Sequence, residues 1–100
     1  MSSTQTYNNV DPIFILPYRN TPEDYTIRLP GFYYIETIGT YELSIEVPKG
    51  SFVIVNTPYN LLFSGNIVSH TNIPVSPVAS ASHNVFYKLD NNTFILFSQI

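Results

Sequence analysis

Two histidines, seven carboxylates and eight tyrosines are the side chains of this sequence with chemistry to offer. A histidine metal site needs ligands at helical or strand spacing, usually with a carboxylate or thiolate close by. His70 and His83 have no carboxylate near them in sequence, no HxH or HExxH spacing occurs, and there is no cysteine. Both read as loop histidines, and neither a metal nor a cofactor is expected. Glycosidic hydrolysis requires two carboxyl groups facing each other across a cleft. Among Asp11, Glu23, Asp24, Glu36, Glu42, Glu46 and Asp90, the obvious pair is Glu42 and Glu46. They fall on the polar side of a single extended run, about 13 Å apart at about 3.3 Å per residue, too distant and too wet for shared acid/base work. No GxSxG elbow, triad grouping or glycine-rich phosphate loop is present. The expectation is a protein that is not an enzyme.

Tyrosine is the type in excess, and it combines a large apolar ring with one hydroxyl at little entropic cost, which suits interfaces and sugar-stacking platforms alike. Tyr33 and Tyr34 must point to opposite faces of a regular strand, so one of them faces outward. Tyr33 and Tyr59, with His70 and His83 from the charge-poor stretch 69–84, form the candidate ligand platform.

The elements that must carry these groups are strands. Eight prolines and four glycines are scattered so that uninterrupted stretches rarely exceed a strand's length, and alanine occurs only at Ala79 and Ala81. Proline inside a helix removes a hydrogen bond and clashes with the preceding turn. Ile, Val, Thr, Tyr and Phe fill the gaps, and these pack well on a pleated surface. Alternation agrees: Tyr41, Leu43, Ile45 and Val47 are interleaved with Glu42, Ser44 and Glu46. Strands are expected over 13–16, 25–29, 32–38, 41–47, 52–56, 60–63, 85–89 and 93–99, with a further short one over 73–75. The turn residues at 48–50 and 90–92 predict hairpins. The sequence thus predicts an all-β fold without significant helix, a small antiparallel β-sandwich or jelly-roll-like domain over 11–100, preceded by a flexible polar arm over 1–10.

Composition excludes other classes. Only 11% of residues are charged and the net charge is −3 with four basic residues, too few for the cationic stripe that phosphate neutralisation demands, so nucleic acid is not an expected partner. The apolar runs fall far short of the roughly 20 residues that span a bilayer, so no membrane is expected either. The first residues carry no basic start followed by an apolar run, which predicts synthesis in the cytoplasm without a secretory signal.

Two strands break the alternation. In Phe52-Val53-Ile54-Val55 and in Phe94-Ile95-Leu96-Phe97 both faces are apolar, so either the chain covers both faces itself or another copy covers one. All eight residues are candidate assembly-interface residues.

Gly50-Ser51-Phe52-Val53-Ile54-Val55-Asn56, followed by the segment from Asn84-Val85-Phe86-Tyr87-Lys88-Leu89-Asp90 to Asn91-Asn92-Thr93-Phe94-Ile95-Leu96, resembles a pattern of bacteriophage fibre and spike domains. There a glycine-led strand precedes a closing hairpin with an Asp-Gly turn. Phe94 stands where that pattern has an aromatic, often Trp, and Asn91 departs from it by replacing the common glycine. The resemblance implies a structural virion protein, such as a phage fibre, spike, capsid decoration or minor capsid component. It also implies assembly with other copies, a trimer being favoured, and with neighbouring virion proteins. The alternative expectation is a carbohydrate-binding or receptor-binding sandwich that takes surface glycans on the tyrosine and histidine platform.

Overall fold

The computed structural model describes residues 16–100; the arm expected over 1–10, and the strand expected over 13–16 apart from Leu16, lie outside them. The described chain contains no helix. Its strands are β1 (Tyr18–Arg19), β2 (Thr26–Ile27), β3 (Gly31–Tyr34), β4 (Thr40–Leu43), β5 (Phe52–Asn56), β6 (Leu62–Ser64), β7 (Ile67–Val68), β8 (Val78–Ala79), β9 (His83–Lys88) and β10 (Phe94–Gln99). They build a six-stranded sheet in the order β1-β3-β5-β9-β10-β7 and a four-stranded sheet in the order β2-β4-β6-β8. This is the all-β sandwich that the composition predicts.

The winding is less conventional than expected. From β1 to β9 each strand lies in the opposite sheet from the one before it, and over β1 to β6 neighbours within a sheet run parallel. Tyr18 lies beside Phe32 and Phe32 beside Ile54, while Thr26 lies beside Glu42 and Glu42 beside Ser64. Between strands, antiparallel pairing is confined to β5–β9, β9–β10 and β6–β8, with one further antiparallel bridge from Val68 to Pro74. The sheets are therefore mixed, not antiparallel throughout. The turn at 90–92 does join a hairpin, β9 to β10. The turn at 48–50 does not, because it passes from β4 in one sheet to β5 in the other.

Local hydrogen bonds explain where β4 stops. The Ser44 hydroxyl accepts from the Glu46 amide at 3.1 Å, and the Ser44 carbonyl accepts from the Val47 amide at 3.2 Å. A serine that bonds its own downstream backbone offers the chain a turn in place of a ladder. The apolar alternation of 41–47 thus runs on through a turn, leaving Ile45 61% exposed and returning Val47 to the core at 1%.

Two tyrosines pin the corners where the chain changes sheets. The Tyr33 hydroxyl donates to the Leu29 carbonyl at the β2–β3 corner, and the Tyr41 hydroxyl donates to the Thr37 carbonyl at 2.7 Å at the β3–β4 corner. Each bond reaches back four residues, as in the tyrosine corner of immunoglobulin-type sandwiches. Burial raises the pKa of both phenols. Between the sheets, Ile27, Tyr41, Leu43 and Phe63 meet Val53, Val55, Phe86 and Phe94 in one cluster, with the Phe63 and Phe86 rings edge-on at 4.9 Å.

Ser44, Thr57, Asn84 and Lys88 are the buried polar residues among those described, and the last two tie separate elements together. Lys88, 1% exposed, donates from Nζ to the carbonyls of Ile45 and Val47 and lies 5.3 Å from the centre of the Phe94 ring. It ties the turn that ends β4 to β9. Asn84, fully buried, uses all of its hydrogen-bonding capacity. Its Nδ2 donates to Val55 O at 3.0 Å and Ala81 O at 2.9 Å, and its Oδ1 accepts from the Ala81 amide and from Gln99 Nε2, each at 2.9 Å.

Candidate functional site

Alternation on a strand divides the two doubly apolar segments. On β5, Val53 and Val55 are fully buried while Phe52 and Ile54 are half-buried. On β10, Phe94 is fully buried, Leu96 packs against the core, Ile95 is half-buried and Phe97 is 65% exposed. Val53, Val55 and Phe94 therefore belong to the chain's own core and are not interface residues, because successive side chains point to opposite faces and the second sheet covers only one. Leu96 shares that inner side. Phe52, Ile54, Ile95 and Phe97 remain on the outer side.

Register joins these four to residues that the sequence pattern did not single out. Across the outer face Tyr18, Phe32, Ile54 and Val85 form one row over β1, β3, β5 and β9. Phe52, Tyr87 and Ile95 form a second over β5, β9 and β10. The register shifts between Leu96 and Ser98, which inserts Phe97 as an extra residue in β10. Such a bulge re-aims a side chain, and Phe97 lies edge-on to Phe52 with centroids 5.9 Å apart. Phe52 also meets Tyr87 at 5.0 Å, and Tyr18 meets Phe32 at 5.6 Å. The signal that finds Phe32, Tyr34, Val85 and Tyr87 was present in the sequence: Phe32-Tyr33-Tyr34 and Val85-Phe86-Tyr87 are apolar at both parities, as Phe52 to Val55 is.

A third row is polar. Tyr34, Asn56 and His83 are register partners over β3, β5 and β9, and His83 Nδ1 lies 2.8 Å from Asn56 Oδ1. This row borders the aromatic field.

Five strands spaced about 4.8 Å apart and roughly 15 Å of strand length give this face a footprint of about 350 Å². That falls within the roughly 300–600 Å² of the largest apolar patch on a typical monomer, a patch that is often functional. Among the described residues no second layer lies on it: the four-stranded sheet packs on the other side.

The expected ligand platform is not assembled. Tyr33 is 5% exposed, its hydroxyl spent on the corner bond, so it cannot stack on a ligand. Tyr34 is the outward member of the pair, at 56% exposure. Tyr59 is exposed at the corner after β5, where its carbonyl accepts from the Ser80 hydroxyl. His83 joins the polar row, whereas His70 is exposed in the turn closed by the Ser69 and Ile73 backbones. Glu42 and Glu46 are both exposed, and Glu46 Oε1 lies 3.9 Å from Arg28 Nε. Among the described residues no three His, Cys, Asp or Glu side chains gather as metal ligands would.

Comparison of the chain with protein-family models, with curated proteins and with solved structures finds no match in any of the three.

Proposed function

We propose that this protein is a structural subunit that acts by assembling with further copies of itself through the outer face of its six-stranded sheet. The observation that supports the reading is the apolar field on the side of the sheet away from its own core, in which Ile54 and Val85 lie in the row of Tyr18 and Phe32 and beside it lie Phe52, Tyr87 and Phe97. Covering such a field in two copies removes about 700 Å² from water, against about 1,200–2,000 Å² in stable complexes. At about 25 cal/mol per Å² the gain is about 17 kcal/mol, from which association costs of about 4–15 kcal/mol are subtracted. One face therefore holds copies together weakly, and a lasting particle needs more than one contact per subunit. That economy suits a symmetric virion component, the role implied by the resemblance to phage fibre and spike domains, with a trimer as the favoured copy number and neighbouring virion proteins supplying the remaining contacts.

Sedimentation velocity across a concentration series tests the proposal. The wild-type chain is expected to gain mass reversibly from low micromolar to several hundred micromolar. A double variant, Phe52→Ser with Phe97→Ser, is expected to keep its circular dichroism spectrum, since neither ring is in the core, and to stay a single chain. A wild-type protein that is monomeric at every concentration, or a double variant that associates equally well, overturns it.

A further inference from the structure

The four cationic side chains of this chain are unevenly placed. Lys88 is buried and bonded to two carbonyls, and Lys49 is exposed beyond the β4 turn. The other two, Arg19 and Arg28, line one open cleft of about 270 Å³ together with Asn20, Pro22, Thr26 and Leu29. Asp24 and Glu46 stand beside Arg28, so the cleft carries both signs, and what sets it apart is the guanidinium of Arg19.

The two are not equivalent. Arg28 is matched by the Asp24 carboxylate at 2.7 Å and approached by Glu46 at 3.9 Å. Arg19 has no carboxylate partner among the described residues. Its Nε donates to the Pro30 carbonyl at 3.0 Å, which fixes the direction of the planar group. Its stem lies over Gly31, where an added methyl would sit 2.9 Å from Arg19 Cγ and 2.5 Å from the Pro17 carbonyl oxygen. Gly31 has φ +147°, a conformation that other residues rarely adopt, so the seat for the arginine depends on glycine. With Nε anchored, the two terminal nitrogens are left as the fork that matches a carboxylate in a bidentate pair. Close by, Arg19 opposes the rise that burial produces in the Tyr33 hydroxyl.

We propose that this cleft binds the carboxylate of a small hydroxylated acid, of the sugar-acid class, with Arg19 as its bidentate anchor. Among the described residues Asp24 and Glu46 both lie at Arg28 and no carboxylate lies at Arg19, so the fork left open to a single ligand carboxylate is that of Arg19. The cleft is small, just below the about 300–1,000 Å³ of sites for drug-sized ligands, which suits a single ring. Asn20 offers its side-chain amide and Thr26, whose amide and hydroxyl donate to Asp24, the acceptor side of its hydroxyl, while Pro22 and the 51% exposed Leu29 offer an apolar wall for the ring's C–H face. The site is separate from the aromatic field and does not depend on assembly.

The test is an NMR titration of the ¹⁵N-labelled full chain with sodium glucuronate, with glucose and sodium sulfate as comparisons at constant ionic strength. Saturable shifts at the Asn20 and Thr26 amides and at the Arg19 Nε–H are expected with glucuronate, and none with glucose. Arg19→Gln is expected to weaken binding by about tenfold or more, as loss of a charged bidentate partner does. Arg19→Lys, which keeps the charge without the fork, should bind between the two. Amide spectra that match the wild type away from the cleft show that each variant is folded, and Asn20→Ala, which leaves the Arg19 seat intact, gives an independent loss. No saturable shift, equal shifts with glucose, equal affinity for sulfate, or unchanged binding in Arg19→Gln each overturns the assignment.

Discussion

Asn84 is the place where the β9–β10 hairpin, which supplies Val85, Tyr87, Ile95 and Phe97 to the outer face, is tied to the rest of the molecule. Replacing it with aspartate keeps the shape and exchanges one amide nitrogen for oxygen. The new oxygen would stand 3.0 Å from Val55 O and 2.9 Å from Ala81 O, where the amide now donates to both. A protonated carboxyl donates only one of those two bonds, so one buried carbonyl is left unpaired at a cost of about 1–3 kcal/mol even at low pH. An ionised carboxyl donates neither and repels both, so the folded state holds its proton and the folded pKa rises above the unfolded value of about 3.9. The native chain then binds more protons than the unfolded chain, and stability falls as pH rises between the two pKa values, by about 1.4 kcal/mol per pH unit. Urea unfolding followed by tyrosine fluorescence between about pH 3 and pH 8 measures this. Asn84→Asp should lose about 1–3 kcal/mol near pH 3 and distinctly more at neutral pH. Asn84→Ala should show a loss without that slope, and Gln99→Ala, which removes one bond of the four together with the Gln99 bond to the Ala79 carbonyl, a loss of about 1–2 kcal/mol. An Asn84→Asp protein equally stable at both ends of the range would refute the four-bond account.

Three further outcomes follow from the same geometry. Lys88→Met, matched in size but without a donor, leaves the Ile45 and Val47 carbonyls unpaired and should lower unfolding free energy by about 2–4 kcal/mol in denaturant titrations, with proteolysis gained first in the 44–47 turn. Tyr41→Phe removes only the bond to Thr37 O and should cost about 1 kcal/mol with the fold unchanged by circular dichroism. The hydrogen bond from the Arg28 guanidinium holds the Asp24 carboxyl below its ordinary value of 3.8. A carboxyl with a depressed folded pKa contributes stability that is present above the unfolded pKa and lost as pH falls through the folded one. Both side chains are exposed, so that contribution is small, but carbonyl-detected NMR should show Asp24 titrating low and moving back up in Arg28→Ala.

Some features were legible because they are local. β5 occupies the expected span 52–56, and β10 begins one residue inside the expected 93–99, because β-rich runs bounded by turn residues carry their own limits. The β9–β10 hairpin was legible in Asp90-Asn91-Asn92, where the Asp90 carboxylate accepts from the Asn92 amide at 2.9 Å. The expected strand over 41–47 ran too long because residue types repeat every second position whether the chain is extended or curled by a serine hydroxyl. A lysine inside a strand carries no local signal of burial. Yet parity places Lys88 on the same side of β9 as Asn84 and Phe86, and all three are buried.

By itself the sequence determined that this chain is made of strands, that several of them, Phe52 to Val55 and Phe94 to Phe97 above all, are apolar at both parities, and that its charges are few. Those properties come from side-chain type and from proline and glycine spacing, which act within a few residues. Only the tertiary structure decided which parity faces the second sheet, so that Val53, Val55 and Phe94 became core while Phe52, Ile54 and Phe97 became surface. It also decided that neighbours in the first half run parallel, and that Arg19 and Arg28 meet at one cleft. The physical reason is that alternation has the same period in parallel and antiparallel ladders, so partner and register are selected by packing between residues far apart in the chain.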